Sequence, residues 1–458
     1  MKRFSAVLFI LLLVSFAHAQ QRWEKTYGGL NADYSFSVQQ TQDGCYIVAG
    51  GTFSFGNPCQ VYLIKTNASG DTLWTKIYGG ANGEFAYSVK QTSDEGYIIA
   101  GYYADTSSNL SGYLMKTNAS GDSLWGGWRT PYSAYSSVQQ TQEGGYIIAG
   151  YTEAFGDSYQ VYLIKTNASG LYLWERAYGG TGNDVGQSVQ QTTDGCYIVA
   201  GQTNSYGNSY QVYLIKTNAN GDTIWTRTYG GTGDDYGRSV WLTSDSGYIV
   251  AGKTNSFGNA DQVYLIKTNG NGDTLWTRTY GGTSSDWGFS VQQTRDGGYI
   301  VAGNTWSFGN VSQVYLIKTN ASGDTLWTKN YGGTDNDYGT SVQQTSDGGY
   351  IVAGYTWSFG NEWQVYLIKT DANGNVGVES KAVSSPVSRL PLSVSPNPFT
   401  SFATVPGRST ERFALYDVSG RRVGTYRGDR IGEGLVPGVY FLRAEKGDRK
   451  PLRVVKVR

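Results

Sequence analysis

Six carboxylates stand at one recurring position of this chain: Asp33, Glu84, Asp184, Asp235, Asp286 and Asp337, each four residues before a recurring serine. Ser133 takes the place in the third repeat. Acids repeated in this way could ligate calcium, supply a carboxylate pair for glycoside hydrolysis, or cap turns through backbone N–H groups. Nothing marks out one pair among near-equivalents, so turn capping is the leading expectation and an enzyme the weaker one. The only histidine, His18, lies in the N-terminal apolar segment. If that segment is removed, Ser-His-Asp and Cys-His catalysis, His-ligated zinc and histidine pH switching go with it.

The acids belong to a longer repeated text. Lys65, Lys116, Lys165, Lys216, Lys267, Lys318 and Lys369 recur at a step of 51 residues, with one of 49. So do Trp23, Trp74, Trp125, Trp174, Trp225, Trp276 and Trp327. One unit holds four strand candidates, among them Gln313–Thr319 and, after an Asn-Ala-Ser-Gly turn, Asp324–Lys329. Several short strands per unit at this period predict a propeller blade. The chain opens on a tryptophan strand and closes on a lysine strand, so pairing them would satisfy both edges. The fold expected is all-β: a seven-bladed β-propeller, four strands per blade, closed by the N-terminal strand, then a small β-sandwich C-terminal domain. The segment 375–379 competes for the closing edge. The turn before each tryptophan resembles the docking motif of quinoprotein-type propellers, which implies indoles wedged between blades. It lacks the spacing of the sialidase aspartate box.

Repeated residues support architecture, whereas a single site on a ring needs asymmetry. The lysines and the glutamine pairs are therefore expected to be structural. The asymmetry lies at the position after the second strand's threonine: Phe53, Glu153, Asn204, Asn255, Trp306 and Trp357. Closure would bring Phe53, Trp306 and Trp357 together, with Trp287 and Trp363 on the same face. Such a wall suits stacking on sugar rings or gripping an extended peptide, against the alternative of gap filling. Two departures, 126–131 and Trp241-Leu242, mark a channel-side contact or repeat drift.

The ends of the chain carry other signals. Residues 1–19 combine Lys2 and Arg3, an apolar run and Ala17-His18-Ala19, as in a secretory signal peptide. The propeller is expected over 20–378, a Ser/Pro-rich linker over 379–391 and a separate domain over 392–458. The whole chain has 36 basic and 36 acidic residues, but the last 67 hold 13 basic and 6 acidic. A net-negative ring without a basic stripe argues against nucleic acid, and no second stretch is long and apolar enough for a membrane span. The three cysteines have no framework spacing; Cys45 and Cys59 should lie at opposite blade ends, and all three are expected to be small buried thiols.

Pro396-Asn397-Pro398, Leu415–Val423 with Gly420 and Arg421, Gly438–Arg443 with Tyr440, and the basic end from Lys456 form an ordered set. It resembles the C-terminal sorting domain of the type IX secretion system of Bacteroidota-like bacteria. The resemblance implies export across the outer membrane, with the secretion machinery as a partner, and a secreted or surface-attached product. The expected function is a binding or adhesion module without catalysis or an obligate cofactor, calcium being the one candidate ion. The alternatives are a carbohydrate-active enzyme and a ligand-free surface scaffold.

Overall fold

The computed structural model describes residues 22–377, apart from 57, 81, 105–108 and 157, and residues 394, 398–405, 412–427, 430–444 and 452–457. The expected leader, 1–19, and linker, 379–391, lie outside the described residues. Two units separate between Glu379 and Ser380.

The first unit contains seven four-stranded antiparallel sheets. Blades one to six span 33–78, 83–131, 133–178, 184–229, 235–280 and 286–331. Blade seven takes three strands from 337–370 and its outer strand from Trp23–Tyr27. That strand pairs with Gln364–Thr370, Trp23 opposite Lys369 and Tyr27 opposite Val365. The propeller closes by its N-terminal strand, as expected, and 375–377 do not take the edge.

The third strand of each blade is apolar on both faces because blades stack face to face. Val314, Leu316 and Tyr315, Ile317 thus enter different cores. Seven such cores lie between successive blades, including one joining blade seven to blade one through Trp23, Val365, Leu367, Tyr46 and Tyr62. Each indole packs on the turn glycine of the next blade. A Cβ on Gly323 would sit 2.8 Å from the Trp276 ring, and its φ of +81° also favours glycine. Trp23 Nε1 donates to Ala68 O at 3.1 Å, which makes the same joint across the closure.

The innermost strands explain the Ser-Val-Gln-Gln text. Each serine Oγ accepts the N–H of the valine in the next blade, 3.1–3.3 Å away, around all seven blades. The first glutamine accepts a neighbour's N–H in five blades, and the exceptions carry Lys90 and Trp241 in its place. The second does so in six, failing where Leu242 stands. Trp241 and Leu242 instead pack against inter-blade cores.

The second unit has a four-stranded antiparallel sheet and a two-stranded one around Phe399, Ala403, Phe413, Leu415, Ile431 and Leu442.

Candidate functional site

The six acids are fixed by their own blades. Each aspartate begins its innermost strand and is 0% exposed, and Glu84 is the second residue of Gly83–Gln91. Asp33 Oδ2 accepts from Gly29 N at 2.8 Å and Ser54 Oγ at 2.6 Å. Asp286 accepts from Gly282 N at 2.8 Å, Ser307 Oγ at 2.6 Å and the Thr305 hydroxyl. Asp184, Asp235 and Asp337 repeat the glycine and serine bonds; Asp337 also accepts from the Thr356 hydroxyl, and burial raises its pKa. Glu84 is 8% exposed. The sequence also placed these acids near the mouth of the central channel; the five aspartates cap turns there inside the protein, the leading expectation, and loop hydroxyls and N–H groups replace water around them. Among the described residues, no three His, Cys, Asp or Glu side chains form a group that could hold a metal ion.

The seven lysines are also enclosed. Each is 1–6% exposed and reaches the acid of its own blade's first hairpin: Asp43, Asp94, Glu143, Asp194, Asp245, Asp296 or Asp347, at 2.8–3.5 Å. All three cysteines are free. Cys59 is buried, whereas Cys45 and Cys196 are only partly so, a correction that follows from their place in exposed hairpins. The departure at 126–131 belongs to the outer strand of blade two, Ser123–Pro131.

The aromatic positions come together on one face. The loop entering the innermost strand and the loop between the second and third strands meet there: Phe53 N donates to Ala32 O, and Ser54 Oγ accepts from Asn31 N at 3.0 Å. Trp287 lies against Trp306 with ring centroids 5.4 Å apart. Trp306 meets Tyr338 at 5.9 Å, and Tyr338 meets Trp363 at 5.6 Å. Trp363 packs edge-on against Trp357 at 5.0 Å and Tyr355 at 5.2 Å. From Trp363 the contacts run through Tyr34, Phe36 and Phe85 to Phe53. Phe36 and Phe85 also lead to Tyr87 and Tyr102. All five expected residues thus join one continuous collar across blades six, seven, one and two.

Seven members were not singled out from sequence: Tyr34, Phe36, Phe85, Tyr87, Tyr102, Tyr338 and Tyr355. Tyr34, Phe85 and Tyr338 follow the recurring acid in the innermost strand; Phe36 and Tyr87 occupy its bulge. Those are the positions that vary inside an otherwise constant strand, and that variation was the available signal. Phe53 is 38% and Trp357 36% exposed, so the collar keeps reachable edges. At its blade-five end, Lys253 lies 4.6 Å from the Trp287 ring centre and 4.9 Å from that of Tyr236. Asp261 accepts from Lys253 Nζ at 2.8 Å and Trp287 Nε1 at 2.9 Å. Asn255 donates to the same Asp261 at this end of the collar, whereas Asn204, one blade away, accepts from Asn183 N. Clefts of about 750 and 480 Å³ lie elsewhere, at Phe155–Glu175 of blade three and at Glu84–Tyr113. The collar is an open stacking surface rather than a cleft.

In the second unit, Pro396 and Asn397 lie outside the described residues. Gly420, at φ +81°, and Arg421, ion-paired with Asp417 at 3.1 Å, shape a turn between strands. Gly438 opens a strand, and Tyr440 Oη donates to Val436 O at 2.7 Å. Lys456 is 8% exposed, with Nζ 3.3 Å from Gly432 O. Pro398 precedes Phe399, which bridges to Lys456.

Residues 192–223 and 345–376 match the family model described as a domain of unknown function (DUF5122) beta-propeller. Regulatory protein FlaEY of Caulobacter vibrioides is 27% identical over 165 residues, 30% of this chain and 17% of that protein's length. A Bacteroides caccae protein of unknown function aligns at 12% identity and TM-score 0.40 over 62% of this chain and 93% of its own. The Neurospora crassa Pan2 WD40 domain aligns at 10% and 0.46 over 73% and 89%. A Dyadobacter fermentans protein of unknown function aligns at 10% and 0.43 over 77% and 98%.

Proposed function

We propose that the propeller is a non-catalytic binding module that receives a glycan or an extended peptide on the aromatic collar. One observation carries this reading: rings from four adjacent blades join into a single surface, while neighbouring positions repeat almost unchanged. Ring faces and edges of this kind suit sugar C–H faces and peptide planes, and they lose little entropy on binding. The burial of the repeated acids supports binding over hydrolysis, because hydrolysis needs a carboxylate that substrate can reach.

The reading includes export. The segment 1–19 serves as a secretory signal, and 392–458 addresses the chain to a type IX secretion system, giving a secreted or surface-attached protein. Two experiments test the parts separately. Glycan and peptide arrays should yield a ligand for the full chain, and the Trp306→Ala/Trp357→Ala pair should weaken it at least thirtyfold, the scale of a binding hot spot of about 2 kcal/mol. Unchanged binding removes the collar from the site. Deleting 392–458 in a host with that secretion system should hold the propeller in the periplasm; undiminished release refutes the address.

A further inference from the structure

The innermost strands line the axis, and after the position of the recurring acid they read YSFSVQQ, FAYSVKQ, AYSSVQQ, VGQSVQQ, YGRSVWL, WGFSVQQ and YGTSVQQ. Only two of these residues are charged, Lys90 and Arg238, and both are cations. Arg238 is the bulge residue of blade five, between Gly237 and Ser239. Its guanidinium lies 5.7 Å from the Tyr236 ring centre, and no ion pair holds it among the described residues. Lys90 belongs to the innermost strand of blade two, three residues after Tyr87. It too has no ion-pair partner among the described residues, unlike the seven lysines of the third strands.

The two cations bracket the collar. Tyr236 reaches Trp287 through Lys253 at one end, and Tyr87 stacks on Tyr102 at 5.5 Å at the other. Lys253 is already neutralised by Asp261, so the uncompensated charge belongs to Arg238 and Lys90. Burial lowers the pKa of both, an expense that a bound anion would relieve. Lys90 also forfeits the inter-blade hydrogen bond that glutamine makes in five other blades. The ring loses a bond there and places on the axis a charge with no ion pair among the described residues.

We propose that the channel beneath the collar is an oxyanion site formed by Arg238 and Lys90, and that the ligand is an acidic saccharide. Its sugar ring stacks on the aromatic surface while its carboxylate enters the channel. The saccharide half rests on the collar reading above; the oxyanion half does not. Glutamine is the natural probe, because it stands at the place of Arg238 in blade four, as Gln187, and at the place of Lys90 in five blades.

The full chain would be titrated, at fixed ionic strength, with galacturonate, galactose and trigalacturonate, following melting temperature and heat of binding. Saturable stabilisation by galacturonate but not galactose is expected, falling at least tenfold in affinity in Arg238→Gln and in Lys90→Gln. Trp357→Ala should lose tenfold or more in affinity toward trigalacturonate. Equal responses to galacturonate and galactose, or wild-type responses in both glutamine variants, overturn the oxyanion site. A retained galacturonate response with trigalacturonate no tighter overturns the saccharide assignment and the collar's part in it.

Discussion

The innermost strand of every blade has two levels that differ sharply. Its lower half, Ser-Val-Gln-Gln, is nearly invariant and spends its side chains on N–H groups of the next blade. Its upper half varies from blade to blade and carries Tyr34, Phe36, Phe85, Tyr87, Trp287 and Tyr338 of the collar. A closed ring needs the same bond at every joint, so repetition marks the scaffold. A single ligand breaks the sevenfold symmetry, so variation marks the candidate site.

Acid attacks the repeated half most broadly. The Thr192 hydroxyl, against the pull of burial, then the Cys196 N–H and Lys216 hold Asp194 down to about 2. The partners of the other third-strand lysines are lowered as well. A depressed carboxylate pKa stabilises the fold fully above the unfolded value, about 4, and ceases to do so as pH falls through the folded value. Melting temperature should therefore be level from pH 7 to 5 and collapse between about pH 4 and 2. A flat profile to pH 2 would remove these pairs from the account.

Trp23→Ala strikes the closing joint and should cost about 3–5 kcal/mol, measured from the denaturant midpoint. A loss below 1 kcal/mol would mean the ring does not depend on that strand. Asp296→Asn leaves Lys318 enclosed without its anion and should cost about 1–3 kcal/mol, less than for a fully buried pair because Asp296 is exposed. Ser290→Ala removes one bond of the serine ring and should cost about 1 kcal/mol. Trp357→Ala, at an exposed edge of the collar, should change stability by less than about 0.5 kcal/mol. If Trp357→Ala destabilised as much as Ser290→Ala, the contrast between the two levels would fail.

Much of the architecture was legible in the chain. The period, the recurring tryptophans and lysines, and the mismatch between first and last strands led to seven blades and their closure. Phe53, Trp287, Trp306, Trp357 and Trp363 were recognised because they interrupt a repeat. Turn capping by the acids was expected, but spacing puts Asp286 at the start of the innermost strand without showing Thr305, Ser307 and Gly282 closing over it. Tyr34 and Tyr355 were passed over because a tyrosine in a strand reads equally as core or surface until its neighbours are known.

A periodic text specifies identical local bonds, and identical joints can be counted without coordinates. Which side chains of different blades touch is another matter. It depends on how 51-residue units curve back upon one another, so that Trp363 reaches Tyr34 across more than 300 residues of chain. Pairing Trp23 with Lys369 creates that neighbourhood. The collar exists as one surface because that single pairing bends a linear repeat into a ring.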